Sequence, residues 1–263
     1  MLLVLKVLLV PALVVSVTLG ARRWGPRVGG FLTSFPIVAG PTLFFFALEQ
    51  GNAFVREAAR ATLLALVAVA VSGLVYAWAS LRTPWWASLP ASWSSFVVTT
   101  LTLNSLAWPL PIALIAAVGG FFVVRALLPT ARGAPVVTER SAWDLPLRTL
   151  MSATAVLTLT GLAAWLGARV SGAFTAFPSA LGILLVFTHV QQGPTSVIRF
   201  LHGFLPGMWS FALFCFVLAL AIVPCGTWLA FALAIASLIP SQAAVLWWIS
   251  RIGAARGALH WRA

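Results

Sequence analysis

The sequence predicts an all-α membrane protein of about nine transmembrane helices, arranged as an inverted repeat of four, one and four. Composition, the lengths of the apolar runs and an internal repeat lead there. Of the 263 residues, 62% are hydrophobic and 8% charged, about a third of the charged share of an ordinary soluble domain. A water-soluble globule is therefore excluded, and the mean hydropathy of +1.05 agrees. At roughly 20 apolar residues per crossing, the length accommodates about nine or ten helices. The expectation is one polytopic membrane domain over 1–263.

Apolar runs bounded by Gly, Pro or Arg clusters give nine spans near 2–20, 28–48, 54–80, 88–106, 110–129, 145–167, 171–190, 198–223 and 227–250. No charged segment precedes the first, and Arg22, Arg23 and Arg27 follow it. That polarity suits a first transmembrane helix with its N-terminus outside, whereas a cleaved signal peptide carries its charges the other way round. The second span contains Pro36 and Pro41, and the third opens with Arg56, Glu57 and Arg60. The fourth is polar, with Ser92, Ser94, Ser95, Thr99, Thr100, Thr102 and Asn104, and could line a solute path or bind helices together. The fifth links two halves, and the polar connection after it closes with Ser141-Ala-Trp-Asp144, a capping-box pattern opening the sixth. The ninth carries Pro240-Ser241-Gln242 at its middle. This divides the chain into a first repeat (1–109), a linking helix with a cytoplasmic loop (110–144) and an inverted second repeat with a basic tail (145–263).

The net charge of +12 comes from 16 Lys and Arg against four acids. These cations are scattered between apolar runs instead of gathered on one soluble face, so no nucleic-acid partner is expected. In the nine-span layout, twelve basic residues fall on one side and four (Lys6, Arg56, Arg60, Arg169) on the other. The bias puts the C-terminus in the cytoplasm and the N-terminus outside. Most of the 13 tryptophans lie near span ends, as in an interfacial belt.

Segments 27–51 and 169–193 align without a gap at an offset of 142 residues, with eleven of 25 positions identical. Arg27-Val28, Gly30, Thr33, Phe35-Pro36, Gly40, Leu43, Phe45 and Gln50-Gly51 meet Arg169-Val170, Gly172, Thr175, Phe177-Pro178, Gly182, Leu185, Phe187 and Gln192-Gly193. Apolar composition supplies Val, Leu and Phe matches, but it does not readily supply Gly, Thr, Pro and Gln-Gly in register. Five spans separate the copies, and an odd offset reverses orientation across the bilayer.

Each proline removes an N–H and clashes with the carbonyl four residues back, and backbone freed in this way must face protein or a wet cavity. If both helices break there, two half-helix N-termini point at the bilayer centre and make a site for a small anion or carboxylate. The candidate binding residues are Thr33, Phe35, Pro36, Gly40, Thr175, Phe177, Pro178 and Gly182. Proline kinks with glycine packing faces need no ligand, and that reading stays open. Glu57, His189 and His202 are candidate proton couplers. The competing readings are an ion pair of Glu57 with Arg60 and hydrogen-bonded structural histidines. His260, with Arg256 and Arg262, belongs to a tail suited to the acidic inner leaflet.

Cys215 and Cys225 would stand about 15 Å apart on a helix, too far for a disulfide or a shared metal. With no HExxH, Walker loop, Ser/His/Asp set or carboxylate cluster, neither an enzyme nor a metal or other cofactor is expected.

The run Gly172…Phe177-Pro178…Gly193, with Gly207-Met208-Trp209-Ser210 further on, resembles the small four-helix bacterial inner-membrane family called GlpM-like. The likeness covers about 100 residues of the second half and, more faintly, 5–105, although the first half lacks the Gly-Met-Trp-Ser run. The chain thus looks like two such units fused through a linking helix. That family is linked to exopolysaccharide (alginate) production, so the resemblance implies a multi-pass protein of the bacterial inner membrane. Two functions follow as expectations. One is a secondary transporter or permease for a small anionic solute. The other is a non-transporting scaffold of an envelope or exopolysaccharide assembly. The partners expected are the lipid bilayer, the solute, and a second copy or an envelope complex.

Overall fold

A computed structural model describes residues 31–36, 39–106, 108–131 and 167–260, with isolated positions between 12 and 23 and between 150 and 158. For 179, 180, 246 and 248–260 it describes the backbone alone. The spans expected at 2–20 and 145–167 and the capping box at Ser141–Asp144 lie outside the described stretches. Among the described residues the fold is all-helical: α1 Ala39–Gln50, α2 Asn52–Ser80, α3 Trp85–Ser105, α4 Leu110–Leu127 and α5 Ser179–His260, with a helical stretch at 167–175 ahead of α5.

Among the described residues, three helical runs are long and apolar enough to cross a membrane, Asn52–Ser80, Leu110–Leu127 and Leu181–Val245. The chain is a membrane protein. α3, expected as the fourth span, forms a helix of 21 residues but is not among the three, because its serines and threonines lower its hydropathy.

The expected nine separate helices are not delimited. The seventh, eighth and ninth spans run together in α5, which is non-helical only at Gly193 (φ 76°, ψ 175°) and Gly226 (φ 76°, ψ 171°). Helical turns resume directly after each glycine, with Pro194 and Thr227 as the next residues, and proline suits a first helical position. A straight run of 65 residues would measure about 98 Å against a hydrocarbon core of about 30 Å. These glycines are where the run can turn, since positive φ is tolerated there without a Cβ penalty.

α2 is the centre. Its alanines favour helix and let neighbours come close, and 78% of its most apolar window is buried, against 22% for α4. A helix apolar all round belongs inside a bundle. α3 packs on α2; Ser88, Ser92, Phe96 and Thr100 form a buried stripe at four-residue spacing, and Ser92 donates to the Ser72 carbonyl at 2.9 Å. Ser95 and Thr102 instead turn back on their own helix, to the Ser92 and Val98 carbonyls. Binding between helices thus describes Ser92, and the other hydroxyls of α3 do not decide between the two readings. α4 buries only Ala113, Ala117, Phe121 and Val124 and presents Ile115, Val123 and Phe122 outward, as a lipid-facing helix does.

Candidate functional site

The chain breaks at both Phe-Pro motifs, and in the same way. Helical residues 31–33 give way at Ser34–Pro36, and 171–175 give way at Ala176–Pro178. The Ser34 amide donates to the Phe31 carbonyl at 3.1 Å, as Ala176 does to Ala173 at 3.3 Å. Phe35 donates to Leu32 at 3.4 Å and Phe177 to Phe174 at 2.9 Å. The next helix then opens with Gly40 N–H on the Pro36 carbonyl and Gly182 N–H on the Pro178 carbonyl, each at 2.7 Å. Both helices end at a positive-φ glycine, Gly51 (φ 86°) and Gly193 (φ 76°). All four correspondences stand at the offset of 142 residues.

Each motif is seated differently. In the first, Ser34 is buried against Gly207, where a Cβ would overlap the Ser34 hydroxyl. Phe35 meets Phe31 edge-on at 5.9 Å, Pro36 is buried and Thr33 half-buried. Gly40 faces the Phe214 ring, 3.8 Å from where its Cβ would stand. In the second, Gly172 lies directly on the Ala58 backbone, and the Thr62 hydroxyl stands 2.8 Å from both the Gly172 and Ala58 carbonyls. Thr175 is buried and donates to the Ser171 carbonyl at 2.7 Å, so its proton is engaged and lone pairs remain. Phe177 packs between Trp93 and Phe96, both with ring centroids at 5.3 Å. Gly182 lies against Trp93 and Leu89; its Cβ would stand 3.0 Å from Trp93 Nε1. The first motif is thus held by the 194–225 part of α5, and the second by α2 and α3.

The proton-coupling candidates lie elsewhere. Glu57 accepts from Arg60 Nη2 at 2.7 Å and Nε at 3.2 Å, matching the ion-pair reading. His189 meets Tyr76 edge-on at 6.0 Å, with Nδ1 3.4 Å from the phenolic oxygen. His202 Nε2 lies 3.2 Å from the Pro129 carbonyl, the geometry of a structural histidine. Among the described residues no cluster of three His, Cys, Asp or Glu side chains could hold a metal.

Several buried polar atoms are unpartnered, and of these Trp93 and Ser196 were not singled out in the sequence. Trp93 Nε1, Thr100 Oγ1, Ser196 Oγ, Ser210 Oγ and both amide atoms of Gln242 are buried without a hydrogen-bond partner. Buried polar groups are nearly always bonded, and in a membrane an unsatisfied one costs several kcal/mol. Trp93 Nε1 can only donate, and it stands at Gly182, in the first turn of the helix that restarts after Pro178. Ser210 is one turn beyond Gly207 on the helix that seats Ser34. Thr100 and Gln242 are 142 residues apart, so extending the repeat alignment would have paired them. Trp93 had no such signal, because its counterpart is Ile235.

No family model matches the chain, and no curated protein or solved structure matches it significantly.

Proposed function

We propose that the protein is a secondary transporter or permease for a small anionic solute, bound where the two Phe-Pro breaks open their helices. The observation that carries this reading is Trp93, whose buried, unbonded N–H stands at Gly182 in the first turn of the helix that restarts after Pro178. A donor near the positive dipole end of a helix suits an anion, and a tryptophan N–H cannot serve a cation. The matching hydrogen bonds and glycine angles of the two motifs support a duplication; the odd number of expected spans between the copies supports reading it as an inverted four-plus-one-plus-four, with α4 as the linking helix. The breaks at Gly193 and Gly226 would then bound its seventh, eighth and ninth helices. The basic-residue bias and the GlpM-like resemblance support a bacterial inner membrane location, N-terminus outside and C-terminus cytoplasmic. Neither an enzymatic activity nor a cofactor enters this reading.

Thermal unfolding of the purified protein against a panel of small carboxylates and phosphates, at two pH values, tests it. At least one should raise the unfolding temperature of the wild type and not that of Trp93→Phe, which keeps the ring and loses the donor. If no anion stabilises the protein, or the variant responds equally to every anion that does, the site is wrong.

A second reading has its own observation. Gly172 on Ala58 and Gly207 on Ser34 leave no room for a solute at those two glycines. Dry packing there suits a scaffold of an envelope or exopolysaccharide assembly, in which the motifs only shape helix contacts.

A further inference from the structure

Away from the Phe-Pro breaks, a cavity of about 300 Å³ is lined by Arg56, Glu57, Arg60, Trp108, Pro109, Leu110 and Ala219. Three elements build it: the opening turns of α2, the start of α4 and the 194–225 part of α5. Arg56 and Arg60 stand four residues apart on α2 and share a face. Arg60 is fixed in place, with Nε and Nη2 on one Glu57 oxygen and Nη1 donating to the Trp108 carbonyl at 2.8 Å. Its side chain is only 17% exposed. Those bonds engage three of the five guanidinium N–H groups. The remaining two and the exposed Arg56 are left for a ligand.

The charges do not cancel. Two guanidiniums face one carboxylate, and the N-terminal dipole end of α4 adds to the positive side. The first helical bond of α4 runs from Ala113 to the Pro109 carbonyl at 2.9 Å, so the Leu110 amide at the cavity wall is ahead of it and free of that ladder. Trp108, Leu110 and Ala219 supply apolar walls, which strengthen each of these interactions relative to water.

We propose that this cavity binds a phosphate group. Guanidinium donors from α2 and the start of α4 line the same cavity, and arginine is the residue suited to a phosphate. The phosphate comes either from a lipid headgroup or from a free phosphate compound. The site does not depend on the Phe-Pro breaks and shares none of their residues; Glu57, a candidate proton coupler, lies in this cavity instead.

Calorimetric titration of the full-length protein in detergent, with inorganic phosphate in one arm and dihexanoylphosphatidylglycerol in the other, tests the proposal. The wild type should bind at least one probe. A lipid arm at least tenfold tighter assigns the site to a headgroup, and an inorganic arm of equal or greater affinity assigns it to a free phosphate. Arg56→Gln should weaken the bound probe tenfold or more, with Arg56→Lys intermediate and both variants unfolding thermally like the wild type. Absence of binding in both arms, or unchanged affinity in Arg56→Gln, overturns it. Trp93→Phe, which leaves this cavity intact, should bind as the wild type does.

Discussion

At the scale of single residues, the glycines of the repeat are not equivalent, although the alignment makes them look so. Gly172 touches the Ala58 backbone, which cannot yield, whereas Gly40 has only ordinary contact with the Phe214 ring. Gly172→Ala should therefore destabilise the protein by about 3 kcal/mol or more, at the upper end of overpacking costs. Gly40→Ala should cost less than about 1 kcal/mol, helix propensity offsetting a mild contact. Chemical unfolding of both variants in the same detergent checks the order, and equal losses would contradict it. The sequence identified these positions by their register, but not which of them meets backbone and which meets a ring. That depends on neighbours far along the chain. The same applies to Thr175, whose hydroxyl is engaged locally by Ser171. Trp93 carried no signal in the sequence, its counterpart in the repeat being Ile235.

At the scale of elements, the boundaries were largely readable because apolar run length and Gly/Pro punctuation act locally. The third and fifth spans, expected at 54–80 and 110–129, are helices Asn52–Ser80 and Leu110–Leu127. The last three spans were less separable. A helix continues across a glycine when residues on both sides favour helix, and only the backbone angles reveal the break. At Gly51 (φ 86°, ψ 171°) and Gly193 (φ 76°, ψ 175°) the backbone lies in an extended positive-φ region essentially reserved for glycine, with nothing within 4 Å of a notional Cβ. Alanine there should cost about 1–3 kcal/mol through backbone strain alone. Gly119, helical and equally open, should become slightly more stable as alanine, by up to about 1 kcal/mol. Thermal unfolding of the three single variants checks this contrast, and a stabilised Gly193→Ala would show that the break is not maintained.

At the scale of the whole molecule, composition made the membrane class plain, while the inverted topology rests on charge bias and repeat register. Cysteines introduced singly at Arg27 and at Arg169, equivalent positions of the two repeats, in a background with Cys215 and Cys225 replaced by serine, test that topology. Arg27→Cys should react only after the inner face is opened to a membrane-impermeant maleimide, and Arg169→Cys should react from outside. Labelling of both from one side would contradict the inversion.

The central claim, that the second Phe-Pro break is an anion site completed by Trp93, is tested most directly by uptake into proteoliposomes. Radiolabelled small carboxylates and phosphates would be offered to vesicles carrying wild-type protein, Trp93→Phe, or no protein. The account predicts accumulation of at least one anion by the wild type above protein-free vesicles. It predicts a reduction of roughly tenfold or more in Trp93→Phe, the scale of a lost hydrogen bond to a charged group. Uptake unchanged in that variant, or no anion accumulated by a folded wild type, would contradict it.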